Sequence, residues 1–239
     1  MPPDARLSVP LVAAGALPAM LEPARTALVV IDVQVDFVAP EGAMGRSGAD
    51  LAPLETALPR IDSLIAAARS AGATLVFPRV ITRAATDSTA LKLLMSRRGL
   101  PPDAVAICRE FTAGADYYHV RPMSGDIEIS KTLYSSFAGT PLERELRARG
   151  IDTLVVVGFT TECCVDCTVR DAFHRGFNVF VVIDACAAYT PDLHYGALNG
   201  LANNCALLIE SAAVLAAWSS PAAISIGDSS KQQRDNRRG

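Results

Sequence analysis

The chain's strongest constraint is a recurring pattern: short, uninterrupted apolar runs alternate with helix-period segments almost from end to end. Runs such as Ala27-Leu-Val-Val-Ile31 and Thr153-Leu-Val-Val-Val-Gly-Phe159 show no in-out alternation. A strand that is apolar on both sides must be covered on both faces, which is the condition of a parallel sheet joined by crossover helices. The pattern predicts strands at 26–33, 73–80, 127–130, 153–159, 178–184 and 205–210. Helices are predicted at 53–72, from Thr140 to Gly150, at 164–176 and 192–204, with a short one at the end. Thr140-Pro-Leu-Glu143 reads as a helix start, with Thr as N-cap, Pro at the first helical position and Glu in a capping-box place. The stretch from Val80 to about Asp126 is less regular. The expected fold is a three-layer α/β/α doubly wound domain on a mostly parallel six-stranded sheet.

In such folds ligands bind at the carboxyl ends of the strands. Three chemically distinctive groups fall there: Asp32, Lys131 and the dipeptide Cys163–Cys164. A thiol at a strand-to-helix junction sits at the positive end of a helix dipole, a setting that favours a thiolate. An acid, an ammonium and a thiol at three strand ends point to a nucleophilic enzyme. Singly, each has a plainer role: a turn-capping Asp, a solvated Lys, a small core Cys.

Composition narrows the field. The chain has 239 residues, enough for one large domain, and a formal net charge of −3 gives no reason to expect nucleic acid or an anionic membrane as partner. No apolar stretch reaches the ~18 residues of a membrane span. Residues 1–25 are expected to form an N-terminal arm, 26–218 the domain, and 219–239 a flexible tail. Six cysteines follow strands and helices instead of a small-domain disulfide framework, so reduced thiols and a cytoplasmic location are expected.

Three stretches carry a resemblance: Ile31-Asp-Val-Gln-Val-Asp-Phe37, Lys131-Thr-Leu-Tyr-Ser-Ser-Phe-Ala-Gly-Thr140 and Gly158-Phe-Thr-Thr-Glu-Cys-Cys-Val-Asp-Cys-Thr-Val-Arg-Asp-Ala172. In order and spacing the chain resembles the isochorismatase-like cysteine hydrolases. That superfamily includes nicotinamidases, N-carbamoylsarcosine amidohydrolases, ureidoacrylate and biuret hydrolases, and true isochorismatases. The resemblance implies a catalytic triad of Asp32, Lys131 and Cys164, a cis peptide at Phe159–Thr160, and an oxyanion hole from the amides of Thr160 and Cys164. It also implies a homo-oligomer, a dimer or tetramer. Cys163 falls where relatives vary, and its side chain is expected to point away from the pocket.

Nicotinamidases of this group carry an Asp and two or three His after the second strand. Here Pro78-Arg-Val-Ile-Thr-Arg83 has no histidine, and His119, His174 and His194 lack ligand spacing, so neither a metal nor another cofactor is expected. Phe37 and Phe137 are candidate pocket walls. Asn203 and Asn204, placed at the start of the last strand, are candidate partners for a urea edge. Gln34 is expected to support Asp32. Arg79, Arg83, Arg97 and Arg98 are unranked candidates to hold a substrate carboxylate.

The resulting expectation is a metal-independent cysteine amidohydrolase that releases ammonia from a small linear amide or ureido compound. The alternatives are an isochorismatase-type hydrolase acting on a vinyl ether, and a catalytically silent binding module. Cys164-Val-Asp-Cys167 also reads as C-x-x-C, which keeps a thiol–disulfide oxidoreductase as a third.

Overall fold

Strand β1 (Thr26–Ile31) is buried along its whole length and forms the middle of the sheet. In the computed structural model, which describes residues 7–219, six strands run in the order β3-β2-β1-β4-β5-β6. The others are β2 (Thr74–Val80), β3 (Ile127–Lys131), β4 (Thr153–Phe159), β5 (Asn178–Ala187) and β6 (Leu207–Ile209). Every pairing is parallel. The order reverses between β1 and β4, so the chain's ligand crevice belongs at their carboxyl ends.

The covering helices are α1 (Ala52–Ala71), α2 (Thr89–Arg97), α3 (Leu142–Ala148), α4 (Asp166–His174), α5 (Pro191–Asn204) and α6 (Ser211–Trp218). Two apolar cores result, one per sheet face. Leu54, Ile61 and Leu64 of α1 and Trp218 of α6 pack with Leu28, Val30 and Phe77. Leu142, Val169 and Leu201 pack on the other face with Val29, Ile129 and Val156. Residues 7–25 lie against the domain: Val12 N–H donates to Leu208 O, and Trp218 Nε1 donates to Leu21 O. The tail expected at 219–239 falls outside the described residues from 220 onward.

Several boundaries differ from the sequence reading. β1 stops at Ile31 instead of continuing to Val33, because Asp32 takes a left-handed φ of 50° and turns the chain. Strand β5 runs three residues past the expected end, while β6 is shorter than expected. Helix α2 lies in the stretch read as irregular. It buries no residue and so carries no full apolar stripe. Helix α3 begins at Leu142, with Pro141 as its cap residue. The Thr140 hydroxyl accepts from Leu142 N–H but also donates to Ser136 O, and Glu143 reaches Arg175 instead of closing a capping box.

Candidate active site

Asp32 arrives at the site by leaving β1. Its own N–H donates to Pro78 O of the neighbouring strand, which pins the turn. Two residues on, Gln34 is fully buried and spans three chain segments. Its amide donates to Val80 O and Ala115 O, and its carbonyl accepts from Val80 N–H at 2.7 Å. Gln34 therefore fixes the loop that carries Asp32, in the supporting place expected of it.

Lys131 comes from β3, the edge strand, two strand spacings or roughly 10 Å from β1. Only a long side chain spans that gap. Its Nζ donates to Asp32 Oδ2 at 2.7 Å and to Leu133 O at 3.0 Å, and both side chains of the pair are fully buried.

Cys164 follows β4. Gly158 adopts φ 113° at an irregularity in the β4–β5 register, and a Cβ there would sit 2.1 Å from Ile31 O. Only glycine lets β4 approach β1 so closely and still turn. The cis peptide expected at Phe159–Thr160 is present. The chain then makes a π-helical turn, Thr161–Val165, before α4. The sequence pattern predicts a regular helix from residue 164; the π turn takes up its first two residues and widens the coil just where Cys164 enters the site.

The structure thus brings Asp32, Lys131 and Cys164 together. Burial pushes the Asp32 carboxyl up, with the Lys131 charge and the Cys164 thiol pulling the other way. Burial likewise opposes the Lys131 charge, but Asp32 and Cys164 beside it leave its pKa above the ordinary value. Asp32 Oδ1 is buried without a hydrogen-bond partner, although the thiol lies beside the carboxyl.

The neighbouring Cys163 thiol, burial and the Asp32 charge together push the Cys164 thiol well up. Lys131 acts in the opposite direction but does not prevail. These influences favour the protonated thiol and oppose the thiolate expected from the helix dipole. Its proton must leave during attack, and Asp32 is the adjacent acceptor. All six cysteines are free, Cys164 and Cys167 included.

The other predicted contacts divide. Phe37 is half-buried in the turn after β1, where Tyr189 Oη donates to its carbonyl. Phe137 is core, tilted against Phe177 at 5.7 Å beneath the Arg175 guanidinium. Asn203 and Asn204 are displaced from the site altogether. They end helix α5, not a strand, and cap it internally by donating to Asn199 O and Gly200 O. Both line a groove of about 670 Å³ with Thr26, Thr153 and Asn178, at the amino ends of the strands. This groove lies at the opposite end of the sheet from the Asp32–Lys131–Cys164 cluster. Asn203→Ala and Asn204→Ala are accordingly expected to leave kcat/KM within about twofold, measured as ammonia release, in line with ordinary surface changes.

Some site neighbours carried no sequence signal. Tyr134 and Tyr189 both lie within electrostatic reach of Cys163 and Cys164. Neither stands in a spacing that singles it out. His194 accepts or donates to Thr161 Oγ1 at 2.8 Å, and burial lowers its pKa to about 4, so it packs as a neutral ring behind the π turn. Among the described residues, no three His, Cys, Asp or Glu side chains gather as a metal site, and no helix is long and apolar enough to cross a membrane.

Comparison with known proteins agrees with this geometry. The isochorismatase domain model matches residues 26–213. The ureidoacrylate amidohydrolase RutB of Methylobacterium radiotolerans is 34% identical over 197 residues, covering 77% of this chain and 76% of the relative. A cysteine hydrolase from Pseudomonas syringae pv. phaseolicola superposes with TM-score 0.74 at 29% identity, over 89% of this chain and 98% of that one. N-carbamoylsarcosine amidase from Thermoplasma acidophilum gives TM-score 0.62 at 25% identity, over 78% and 96%. With its parallel sheet, its cis peptide and this span of sequence matched, the chain belongs to the isochorismatase family.

Proposed function

We propose that this protein is a cysteine amidohydrolase that cleaves the C–N bond of a small linear amide or ureido compound and releases ammonia. The observation that carries the reading is the buried Lys131–Asp32 pair at 2.7 Å with the Cys164 thiol beside it. A nucleophile, a proton acceptor and a fixed cation in one dry site are the components of acyl transfer. The names of the similar amidohydrolases point to the ureido class.

In the proposed sequence Cys164 Sγ attacks the substrate carbonyl while its proton passes to Asp32. Lys131 remains charged and stabilises the negative charge that develops around sulfur and the carboxylate. The tetrahedral oxyanion is received by the backbone amides of Thr160 and Cys164, donors worth about 3–4 kcal/mol of barrier in acyl-transfer enzymes. Asp32 then returns the proton to the departing nitrogen, which leaves as ammonia, and a thioester (a thiocarbamate from a ureide) remains on Cys164. Water, deprotonated by Asp32, releases the acid; a carbamate product loses carbon dioxide. Phe37 at the mouth is proposed as a wall of the substrate pocket. We also place the enzyme in the cytosol as a homo-oligomer. The free cysteines suit a reducing compartment, and exposed Leu93, Leu94 and Leu100 offer apolar surface for assembly.

An ammonia-release assay over ureides and linear amides tests the reading. Turnover of at least one ureide, without pyruvate release from isochorismate, is the expected outcome. Pyruvate release alone would replace the amidohydrolase with a vinyl-ether hydrolase.

A further inference from the structure

Arg79 is an unusual arginine. It lies in β2 two residues after Phe77, is half-buried, and holds its guanidinium 4.9 Å from the centroid of the Tyr117 ring. Its Nε is buried with no hydrogen-bond partner, and no ion pair reaches it among the described residues. The cations around it are all satisfied: Arg83 pairs with Glu110, Arg109 with Asp87, and Lys131 with Asp32. A guanidinium has five donors in a rigid fork. Leaving the buried Nε donor unused is costly unless something else supplies an acceptor.

The surroundings indicate what that something is. Arg79 lines a cavity of about 410 Å³ at the carboxyl ends of β2 and β3, together with Ile81, Ser130, Thr132 and Lys131. Register pairs Arg79 with Ser130 and Val80 with Lys131. Registered neighbours share a face, so the Ser130 side chain stands with Arg79 while Lys131 turns toward Asp32. Ser130 and Thr132 are exposed at the edge of this cavity, with their hydroxyls open to solvent and to a ligand beside Arg79. Three acids stand nearby without an ion pair to Arg79: Glu110, held by Arg83, and the exposed Asp116 both line the cavity, and Glu128 accepts from Tyr117 Oη at 3.3 Å.

The loop that forms the outer wall is rigidly placed. Cys108 and Phe111 both adopt left-handed φ, 51° and 63°, which non-glycine residues hold only where the surroundings impose it. Asp36 accepts from Cys108 N–H at 2.7 Å, and the Thr82 backbone bonds this loop on both sides, through Cys108 O and Glu110 N–H. The result is a Phe111 ring that is 97% exposed at the rim of the cavity.

We propose that this cavity is an anion subsite in which Arg79, backed by the Ser130 and Thr132 hydroxyls, binds the carboxylate of a small organic acid. The carboxylate belongs either to the substrate itself, whose reacting end would lie past Lys131, or to a free acid acting as an effector next to the catalytic lysine. The first source rests on the amidohydrolase reading; the second does not. Arginine suits this task through its bidentate geometry, and a change to lysine is not conservative there.

Two measurements test the subsite. Propionate binding to Cys164→Ala protein, followed by NMR titration, needs no turnover. It is expected to be saturable and to weaken at least tenfold on adding Arg79→Gln, with Arg79→Lys intermediate. In parallel, kcat/KM is compared for 3-ureidopropionate and its neutral analogue n-propylurea. If the substrate's own carboxylate is held, the acid is preferred by about 30-fold or more, and Arg79→Gln removes most of that ratio through KM. If propionate binding depends on Arg79 while the ratio does not, the anion is a free effector. Propionate binding and a substrate ratio that are both unchanged in a folded Arg79→Gln variant would overturn the subsite. Arg79-dependent binding without turnover of any ureide would sink the hydrolase reading and leave the subsite standing.

Discussion

Cys164→Ala is expected to lower ureide hydrolysis by about 10⁴-fold or more, because no other group can form the covalent intermediate. The thiol is small and its site is buried, so stability changes little: the melting temperature should stay within about 4 °C of the parent. Cys164→Ser is expected to be nearly as inactive, since Asp32 would have to deprotonate a far more weakly acidic hydroxyl. The same assay separates the redox alternative. Cys167 is half-buried, its thiol is pushed up first by burial, and it is not bonded to Cys164. Cys167→Ala should therefore keep activity within about fivefold. If both variants were equally dead, the C-x-x-C would have to be the working unit.

Lys131→Met is expected to combine the second-largest loss of activity with the largest loss of stability. It removes the charge that holds Asp32 ionised and strips a fully buried carboxylate of its counter-ion. Breaking one side of a buried pair costs about 3–5 kcal/mol, which for a domain of this size is a fall of about 10 °C in Tm. Turnover should drop by about 10³-fold or more, since a protonated Asp32 is no base. The pH dependence has a definite sign. Burial already raises the Asp32 pKa, and loss of Lys131 raises it further. A carboxyl whose folded pKa lies above its unfolded value binds its proton more tightly in the folded state. The variant's deficit should therefore shrink as pH falls from 8 toward 5. Adding Asp32→Asn removes the orphaned charge, so the double variant should regain stability without regaining activity. A double variant no more stable than Lys131→Met, in thermal melts at pH 8, would contradict this account of the pair.

Much of this architecture was legible in the residues because it rests on local patterning. Apolar runs without alternation implied a parallel sheet, and the glycines at 72, 150 and 176 closed helices as left-handed caps. The three polar strand ends were visible because a parallel sheet delivers such residues to one edge. What escaped is what depends on three-dimensional neighbours. Helix α2 buries nothing, so its periodicity is weak. The upward push on the Cys164 thiol comes from Cys163 and from burial, neighbours that a dipole argument made from spacing alone does not see. Asn203 and Asn204 suit a urea edge by chemistry, but the start of a parallel strand lies at the amino edge of the sheet, opposite the catalytic cluster. Phe137 illustrates the general ambiguity of aromatics: next to a catalytic motif it reads as a pocket wall, yet Phe177 and Arg175 claim it for the core. Arg79 stood among four arginines that the sequence could not rank, and only its missing partners distinguish it.

The central claim is that a single sulfur becomes acylated during turnover. Rapid acid quench of the protein with a slowly hydrolysed amide or ureide, followed by mass spectrometry of the peptide spanning Cys164, reads this directly. The account predicts a mass increase equal to the acyl or carbamoyl fragment on Cys164, absent in Cys164→Ala and accumulating when deacylation is slowed. Turnover that releases ammonia in the same samples with no adduct on Cys164, or with the adduct on Cys163 or Cys167, would contradict it.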